Sequence, residues 1–440
     1  MATKVRSGHT HDGHTTGARR AGAGLVLVIL RRAGRVQDWD EIVADGVVVR
    51  RALHQHPELA WSEDLTAAAV REHLDRLGLG WRPCAGTGTV AVVAPAARGR
   101  HVALRADLDA MPVPEATGAP WVSQVPGVMH ACGHDGHTAV LLVVARWLAE
   151  HQEDLPGPVT LLFQPAEEGG HGARHMIADG ALGGDLVAGG RPVEVVYGWH
   201  NWPAIPFGQA VCPDGPVMSA NATFRVEVTG AGGHASQPEA TRDPVLAAAA
   251  ITVALQQVVA RRLPPHVAAV VAVTTIDARA GSATVTPETA FLEGSIRVPD
   301  TSRRDEVLAL IDEVADATAR AHGVRARTVP APRYGATVNH PAAAERMRGA
   351  LAGVLGEEWS GTLPVPVLAS EDFSYYLDAV PGAFALIGSD DGQGHHEPCH
   401  SPRYDFNDAL IDPVARVLVR LAGAPSPSDP ARAQQEATAQ

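Results

Sequence analysis

The sequence predicts an α/β fold in which a mixed, largely parallel sheet is covered by helices and a smaller domain is inserted into the chain. Short aliphatic runs, such as TVAVVAP at 89–95, alternate with stretches of helical periodicity. This alternation is typical of parallel sheets with helices on both faces. The chain has 440 residues, too many for one hydrophobic core, and its middle part follows a different order of elements.

The elements of the main domain follow in order along the chain. Two helices are predicted between about Asp38 and Gly80, and the aliphatic segments 89–95 and 101–111 are predicted strands. A helix is predicted from about His137 to His151. PVTLLFQPAEEGG is a predicted strand that runs into a loop, and PVEVVYGWHNWP repeats this design.

The middle of the chain predicts a separate small domain. Its elements are a strand, a helix, two strands, a helix and a strand, at 222–230, 243–262, 267–278, 288–298, 302–323 and 324–331. The order βαββαβ is the ferredoxin-like arrangement, which forms a complete sandwich by itself. We therefore expect an inserted domain at 218–331, a discontinuous main domain at 37–217 and 332–422, and disordered ends at 1–36 and 423–440.

Composition excludes several classes of protein. The formal charge is −13 and the body of the chain has no block of Lys or Arg, which argues against binding to nucleic acid. Four widely separated cysteines do not suggest a disulfide framework and favour a reducing cytoplasm. No apolar run approaches the roughly 20 residues that span a bilayer. The short apolar run at 25–30 ends in arginines without a small-residue cleavage site, so it favours a loose extension over a signal peptide.

The segment MHACGHDGHTAV, at 129–140, concentrates groups that bind metals or protons. It holds one cysteine, three histidines and one aspartate around two glycines: Cys132, His130, His134, His137 and Asp135, with Gly133 and Gly136. Cysteine, histidine and carboxylate are the ligands of transition metals, and glycines allow the tight turn that aims two side chains inward. The sequence therefore predicts a metal site at this turn.

Other polar groups follow the predicted strands directly. Asp107 and Asp109 come after one strand, Glu167 and Glu168 after the next, and His200 after a third. In open α/β sheets, ligands bind at the edge formed by the carboxyl ends of the strands. Groups that are distant in sequence are therefore expected to meet at this edge.

Glu167 and Glu168 suggest a division of roles. Consecutive side chains of extended backbone point to opposite sides, so one glutamate can bind a metal while the other stays beside it. A carboxylate next to a metal site can act as the general base that activates water. The apolar VTLLF before the pair and the glycines after it argue against a solvated surface loop.

Two alternative catalytic motifs are disfavoured. HEPCH, at 396–400, matches the H-E-x-x-H pattern of zinc proteases, which requires a helix, but Pro398 and Pro402 oppose helix formation. His400 remains available as a single ligand from a loop. Cys132 could act as a nucleophile with a histidine base, but the glutamate pair would then have no role.

Eight segments in order, from about Arg50 to Leu421, carry a resemblance to a known family. They include LHQHPEL, LRADLDAMPVPE, MHACGHDGHTAVLL, FQPAEEGGHGARHMIADGAL, WHNWP, GAGGHASQP, SEDFSYYL and CHSPRYDFND. The chain resembles the metal-dependent N-acyl-amino-acid amidohydrolases, such as hippurate hydrolase and auxin-conjugate hydrolases, within the aminoacylase and carboxypeptidase clan. The extension before residue 36 is not part of the family pattern.

The resemblance implies two divalent metal ions per subunit and a set of site residues. The implied metal ligands are Cys132, His134, Glu168, His200 and His400. Glu167 is the implied general base, and Asp109 is expected to lie behind a metal ligand and orient it. His234 and Arg297 are the implied substrate-binding residues, the first polarising the scissile carbonyl and the second binding a substrate carboxylate. Asn339 is a weaker candidate, and Asp135 and His137 are expected to be structural.

We expect an enzyme that cleaves the amide bond of an N-acyl-L-amino acid, of the hippurate, N-acetyl or indoleacetyl type. The expected cofactors are manganese or zinc, with cobalt or nickel also compatible with the ligands. A homodimer or higher homo-oligomer through the inserted lid and dimerisation domain is expected. The alternatives are a metallo-dipeptidase or carboxypeptidase of the same clan, and a non-catalytic protein that binds a conjugate through its metal site.

Overall fold

The computed structural model describes residues 38–427, so the predicted N-terminal extension lies outside the described residues. The predicted tail is described only as far as residue 427, and there the carbonyl of Pro425 accepts a hydrogen bond from Trp147 Nε1 at 3.0 Å. Between residues 38 and 427, no helix has the length and apolar character needed to cross a membrane.

The chain forms two compact units. Of the described residues, the first unit comprises 38–211, 346–361 and 386–427, and the second comprises 212–345 and 362–385. The domain boundaries given above remain predictions.

The regular elements are numbered in chain order. The α-helices of the described residues are α1 Trp39–Gln55, α2 Asp64–Arg76, α3 His134–Glu150, α4 Glu167–Gly170, α5 Gly172–Ala178, α6 Pro244–Ala254, α7 Thr301–Ala321, α8 Pro341–Leu355, α9 Ser374–Ala379 and α10 Ile411–Ala422. The strands are β1 Gly80–Cys84, β2 Gly88–Val93, β3 Val102–Asp107, β4 Val159–Gln164, β5 Val195–Pro206, β6 Ala210–Val211, β7 Gly215–Met218, β8 Ala220–Thr229, β9 Gly233–His234, β10 Val270–Asp277, β11 Val285–Thr286, β12 Thr289–Val298, β13 Arg325–Pro332, β14 Thr337–Asn339 and β15 Gly382–Asp390.

A seven-stranded mixed sheet has the order β1-β2-β4-β3-β5-β15-β6. Its centre is parallel, because β3 pairs in parallel with both β4 and β5. β2 joins β4 in antiparallel orientation, and β1 extends the sheet as a hairpin partner of β2. All residues of β2, β3 and β4 are buried, as expected for strands covered on both faces.

The second unit contains a four-stranded antiparallel sheet of order β10-β12-β8-β13. Residues of β12 alternate between buried and more exposed positions, so one face of the sheet is apolar. Phe224, Ile251 and Ile311, from β8, α6 and α7, are all buried in one hydrophobic core. The predicted fold class is confirmed, including the βαββαβ order of the small domain.

Candidate metal centre

The parallel pairing of β3 with β4 determines where the polar side chains meet. Asp107, the last residue of β3, pairs with Gln164, the last residue of β4. Asp109 lies two residues beyond β3, and Glu167 lies three residues beyond β4. These groups therefore leave the sheet at the same edge, where ligands bind in open α/β sheets.

The cysteine and histidine turn leads directly into α3. Gly133 precedes the helix with φ of 92°, a conformation that side chains other than glycine rarely adopt. Gly136 has another role, because a Cβ atom there would lie 2.3 Å from the ring of Phe406. The helix begins at His134, three residues earlier than predicted, since the glycine conformation ends the turn there.

Five side chains predicted as metal ligands lie together in the first unit. Cys132 Sγ is 3.3 Å from His200 Nε2 and 3.3 Å from His400 Nε2. His400 Nε2 is 3.2 Å from Glu168 Oε1. Three groups of side chains each have ligand atoms that lie within 4.8 Å of one another. They are Cys132, His134 and His200; Cys132, Glu168 and His400; and His134, Glu167 and Glu168.

Two of the imidazoles make hydrogen bonds through Nδ1, and these hydrogen bonds orient the Nε2 atoms of the rings. His134 Nδ1 lies 2.9 Å from the backbone oxygen of Asp109, and His200 Nδ1 lies 2.7 Å from the backbone oxygen of Asn201. Because a carbonyl oxygen only accepts, each Nδ1 carries a proton, so the lone pair of each neutral imidazole is on Nε2. Among the described residues, the buried His134 Nε2 has no hydrogen-bond partner.

The glutamate pair lies in a short helical turn, which corrects the expectation of extended backbone. Ala166 has φ of 54° before the turn, and the turn is interrupted at Glu168. This geometry directs the N–H groups of Glu167 and Glu168 to Asp109, whose Oδ1 and Oδ2 accept at 3.1 and 2.8 Å. Asp109 thus holds the glutamate turn, while its backbone carbonyl is the closer partner of His134 Nδ1.

His200 lies within strand β5 instead of after it. β5 pairs with β3 only as far as Tyr197, and the strand then continues to Pro206. His200 therefore lies beyond the parallel pairing, although the backbone stays extended. The sequence indicated the correct edge but placed the end of the strand too early.

His400 lies in a loop, as the neighbouring Pro398 and Pro402 predicted. Residues 396–400 form no helix, which excludes the zinc-protease arrangement of HEPCH. His400 has φ of 72°, its side chain is about half exposed, and its N–H donates to the carbonyl of Ala131 at 2.7 Å. This hydrogen bond ties the loop to the residue before Cys132.

The buried charges strongly influence one another. Burial alone would lower the pKa of His134, but the carboxylates of Asp107 and Asp109 outweigh it and raise the pKa to about 10. Burial would raise the pKa of Glu168, but the hydrogen bond with His400 and the charge of His134 lower it. The pKa of Cys132 is raised well above the usual range by its hydrogen bond with Cys399 and by burial.

A second group of side chains contacts these residues, and its members Asn201 and Tyr404 were not assigned to the site from the sequence. His137 Nδ1 lies 2.6 Å from Asp107 Oδ1, and its Nε2 lies 2.8 Å from Asn201 Oδ1. The side-chain amide of Asn201 donates to Tyr404 Oη at 2.8 Å and to Cys399 Sγ at 3.6 Å. The motif WHNWP does not by itself indicate this role of Asn201, because the role depends on contacts with residues that are distant in the sequence.

The two predicted substrate-binding residues belong to the second unit. His234, in β9, is exposed, and its Nδ1 accepts from the backbone N–H of Ser236 at 3.1 Å. Arg297, in β12, is partly buried and donates from Nη1 to Ser370 Oγ at 2.8 Å. Asn339 is buried and bonds through both ends of its amide to the backbone of Phe384, which supports a structural role.

Comparisons with known proteins identify the family of the chain. The model of peptidase family M20/M25/M40 matches residues 103–424. The N-acetyl-L-cysteine deacetylase of Bacillus subtilis is 38% identical over 381 residues, which cover 85% of this chain and 86% of that protein. The IAA-amino acid hydrolase ILR1-like 2 of Arabidopsis thaliana is 35% identical, over 90% of this chain and 87% of that protein.

Solved structures show the same fold. A Bacillus subtilis protein described as a dinuclear metal binding peptidase from the M20 family has a TM-score of 0.74 and 29% sequence identity, over 87% of this chain and 98% of that chain. The relatives confirm the prediction of an enzyme of the amidohydrolase class. The chain therefore belongs to peptidase family M20/M25/M40.

Proposed function

We propose that this protein is a metal-dependent amidohydrolase that cleaves the amide bond of an N-acyl-amino acid and releases a carboxylic acid and an amino acid. The observation that carries the proposal is the convergence of a thiol, three imidazoles and a carboxylate within a few ångströms. The deacetylase and conjugate hydrolase found among the relatives support the same class of substrate.

The proposed metal ligands fit a pair of divalent cations. Two of the ligand groups share Cys132, so the two groups lie next to each other, as a pair of neighbouring cations would need. The buried His134 Nε2 has no hydrogen-bond partner among the described residues, and buried polar atoms are normally paired. Thiolate and imidazole suit zinc, cobalt or nickel, whereas the carboxylate also suits manganese. Cys132, His134, Glu168, His200 and His400 would hold the ions.

Divalent cations bound there would lower the pKa of water and polarise the amide carbonyl. Glu167 is the proposed general base: it takes a proton from the attacking water and passes it to the leaving nitrogen as the carbon–nitrogen bond breaks. Its side chain is buried, and its ligand atom lies within 4.8 Å of those of His134 and Glu168. Asp109 fixes the backbone of the Glu167 turn and so positions this base.

Substrate binding by His234 and Arg297 remains part of the proposal. An exposed imidazole can donate to a carbonyl oxygen, and a guanidinium can pair with the carboxylate of the amino-acid product.

We also propose a homo-oligomer formed through the inserted domain. Sedimentation velocity of the purified protein would test this, with a single monomeric species as the contradicting result.

The general-base role is tested with Glu167→Gln, which keeps the size of the side chain but cannot accept the proton. Turnover of an N-acyl-amino acid should fall by a factor on the order of 10² to 10⁴, because this is the usual contribution of a general base. Metal content by elemental analysis should be unchanged. Glu153→Gln, at an exposed position, is the matched control. Near-normal turnover in Glu167→Gln would exclude the assigned role.

A substrate panel separates this function from the alternatives. Hippurate, N-acetylated amino acids and indoleacetyl conjugates are compared with dipeptides and C-terminally extended peptides under metal-replete conditions. Preferential hydrolysis of the acyl-amino acids supports the proposal, and preference for peptides favours a peptidase of the same clan. Binding of a conjugate without hydrolysis would indicate a non-catalytic protein.

A further inference from the structure

A fully buried arginine lies outside the group of proposed ligands. Arg50, in α1, has 0% of its surface exposed and lies among three carboxylates. Its Nε is 3.2 Å from Asp135 Oδ2 and 3.4 Å from Asp408 Oδ1, and its Nη2 is 2.7 Å from Asp405 Oδ1. Burying a guanidinium is costly unless it is paired, so this cluster requires explanation.

The three carboxylates belong to the two segments that carry the first and last proposed ligands. Asp135 directly follows His134, whereas Asp405 and Asp408 follow His400 by five and eight residues. Arg50 Nη2 also donates to the backbone oxygen of Phe406 at 3.1 Å. One side chain therefore connects the Cys132–Asp135 turn with the loop at 400–408.

Packing around Arg50 reinforces this connection. The ring of Phe406 occupies the space that a side chain at Gly136 would fill, and the guanidinium lies 5.5 Å from the centroids of the Phe406 and Trp121 rings. His54 Nδ1 lies 2.8 Å from Asp135 Oδ2, the same oxygen that faces Arg50 Nε. The planar fork of arginine suits several partners at fixed angles, which a lysine ammonium cannot reproduce.

We propose that Arg50 is a positioning residue that keeps the loop of His400 close to Cys132 and His134. It thereby raises the affinity of the site for divalent cations. This inference rests on the proposed function. His400 depends strongly on such support, because it lies in a loop, has a left-handed backbone conformation and is half exposed. If the loop were free, metal binding would have to order it at an entropic cost.

The test compares Arg50→Lys with Arg51→Lys in the full chain. Arg51 is the neighbouring residue and also pairs with Asp408, at 2.8 Å, but its side chain is 43% exposed. Affinity for zinc is measured by competition with a chromophoric chelator, and unfolding of the metal-free protein is followed in parallel. We expect Arg50→Lys to bind zinc about 10- to 100-fold more weakly, as is typical for residues behind metal ligands. Arg51→Lys should stay within about twofold of the unaltered protein, as exposed ion pairs contribute little.

Asp405→Asn provides a milder perturbation in case Arg50→Lys fails to fold. It weakens one ion pair of Arg50, leaves the contact with Asp135 in place, and should reduce zinc affinity by a smaller factor. A lowered unfolding midpoint with unchanged zinc affinity in Arg50→Lys and Asp405→Asn would show a merely structural role and overturn the inference. Equal loss of affinity in Arg50→Lys and Arg51→Lys would also overturn it. Absence of zinc binding by the unaltered protein would instead refute the proposed function.

Discussion

Asp109→Asn tests how the glutamate turn is held. The Asp109 carboxylate is buried and accepts the backbone N–H groups of Glu167 and Glu168 through its two oxygens. Asparagine has nearly the same shape, but it offers only one oxygen and presents an NH₂ group at the other position. One of the two N–H groups would then face a donor without an acceptor.

The magnitude follows from these two contacts. A hydrogen bond to a charged group contributes about 1.5–3 kcal/mol, and an unsatisfied buried donor costs about 1–3 kcal/mol. We therefore expect the glutamate turn to lose about 3 kcal/mol of its preference for the present conformation. If the whole loss raises the activation free energy, kcat/KM decreases by a factor of about 100, because each 1.36 kcal/mol corresponds to a factor of ten.

The assay measures kcat and KM for an N-acyl-amino acid together with metal content. The decrease should fall mainly on kcat, because Glu167 acts on the reacting proton and not on binding of the substrate. Asp154→Asn, at an exposed position, is the matched control. If Asp109→Asn retained kcat/KM within about threefold while remaining fully loaded with metal, the positioning argument would be refuted.

Two further predictions concern stability. Burial lowers the pKa of His73 from 6.5 to about 4, so the unfolded chain binds more protons than the folded one between these values, and stability falls as pH drops from about 6.5 towards 4. His73→Leu removes this titration, so between pH 7 and pH 5 its unfolding midpoint should fall less than that of the unaltered protein, and equal falls would contradict the reasoning. Gly136→Ala should destabilise the metal-free protein by about 1–3 kcal/mol through overpacking against Phe406, as measured by denaturant unfolding. Gly349→Ala, in α8 with open space around it, is its control and should be neutral or stabilising by up to about 1 kcal/mol, so equal effects at both glycines would exclude the packing explanation.

Much of the fold was predictable from local patterns. The alternation of buried strands with helices predicted the mixed sheet, and the βαββαβ order predicted the small domain. The edge at which Asp109, Glu167 and His200 meet followed from a general property of parallel strands. These predictions needed only periodicity and chain order.

The remaining features depend on contacts between distant parts of the chain. The partners of Arg50 at Asp405 and Phe406 are 355 and 356 residues away, and no local pattern indicates them. The glutamate pair was wrongly expected to be extended, because its conformation depends on the hydrogen bonds that its backbone N–H groups donate to Asp109. Asn201 was missed for the same reason, since its role follows from contacts with His137 and Tyr404.

The proposed pair of cations is tested most directly by titrating the metal-free protein with cobalt(II) and following its absorption spectrum. We predict saturation at two equivalents per chain and a thiolate-to-metal charge-transfer band that disappears in Cys132→Ser. Absence of saturable binding, or a charge-transfer band that persists in Cys132→Ser, would contradict a site built around this thiol.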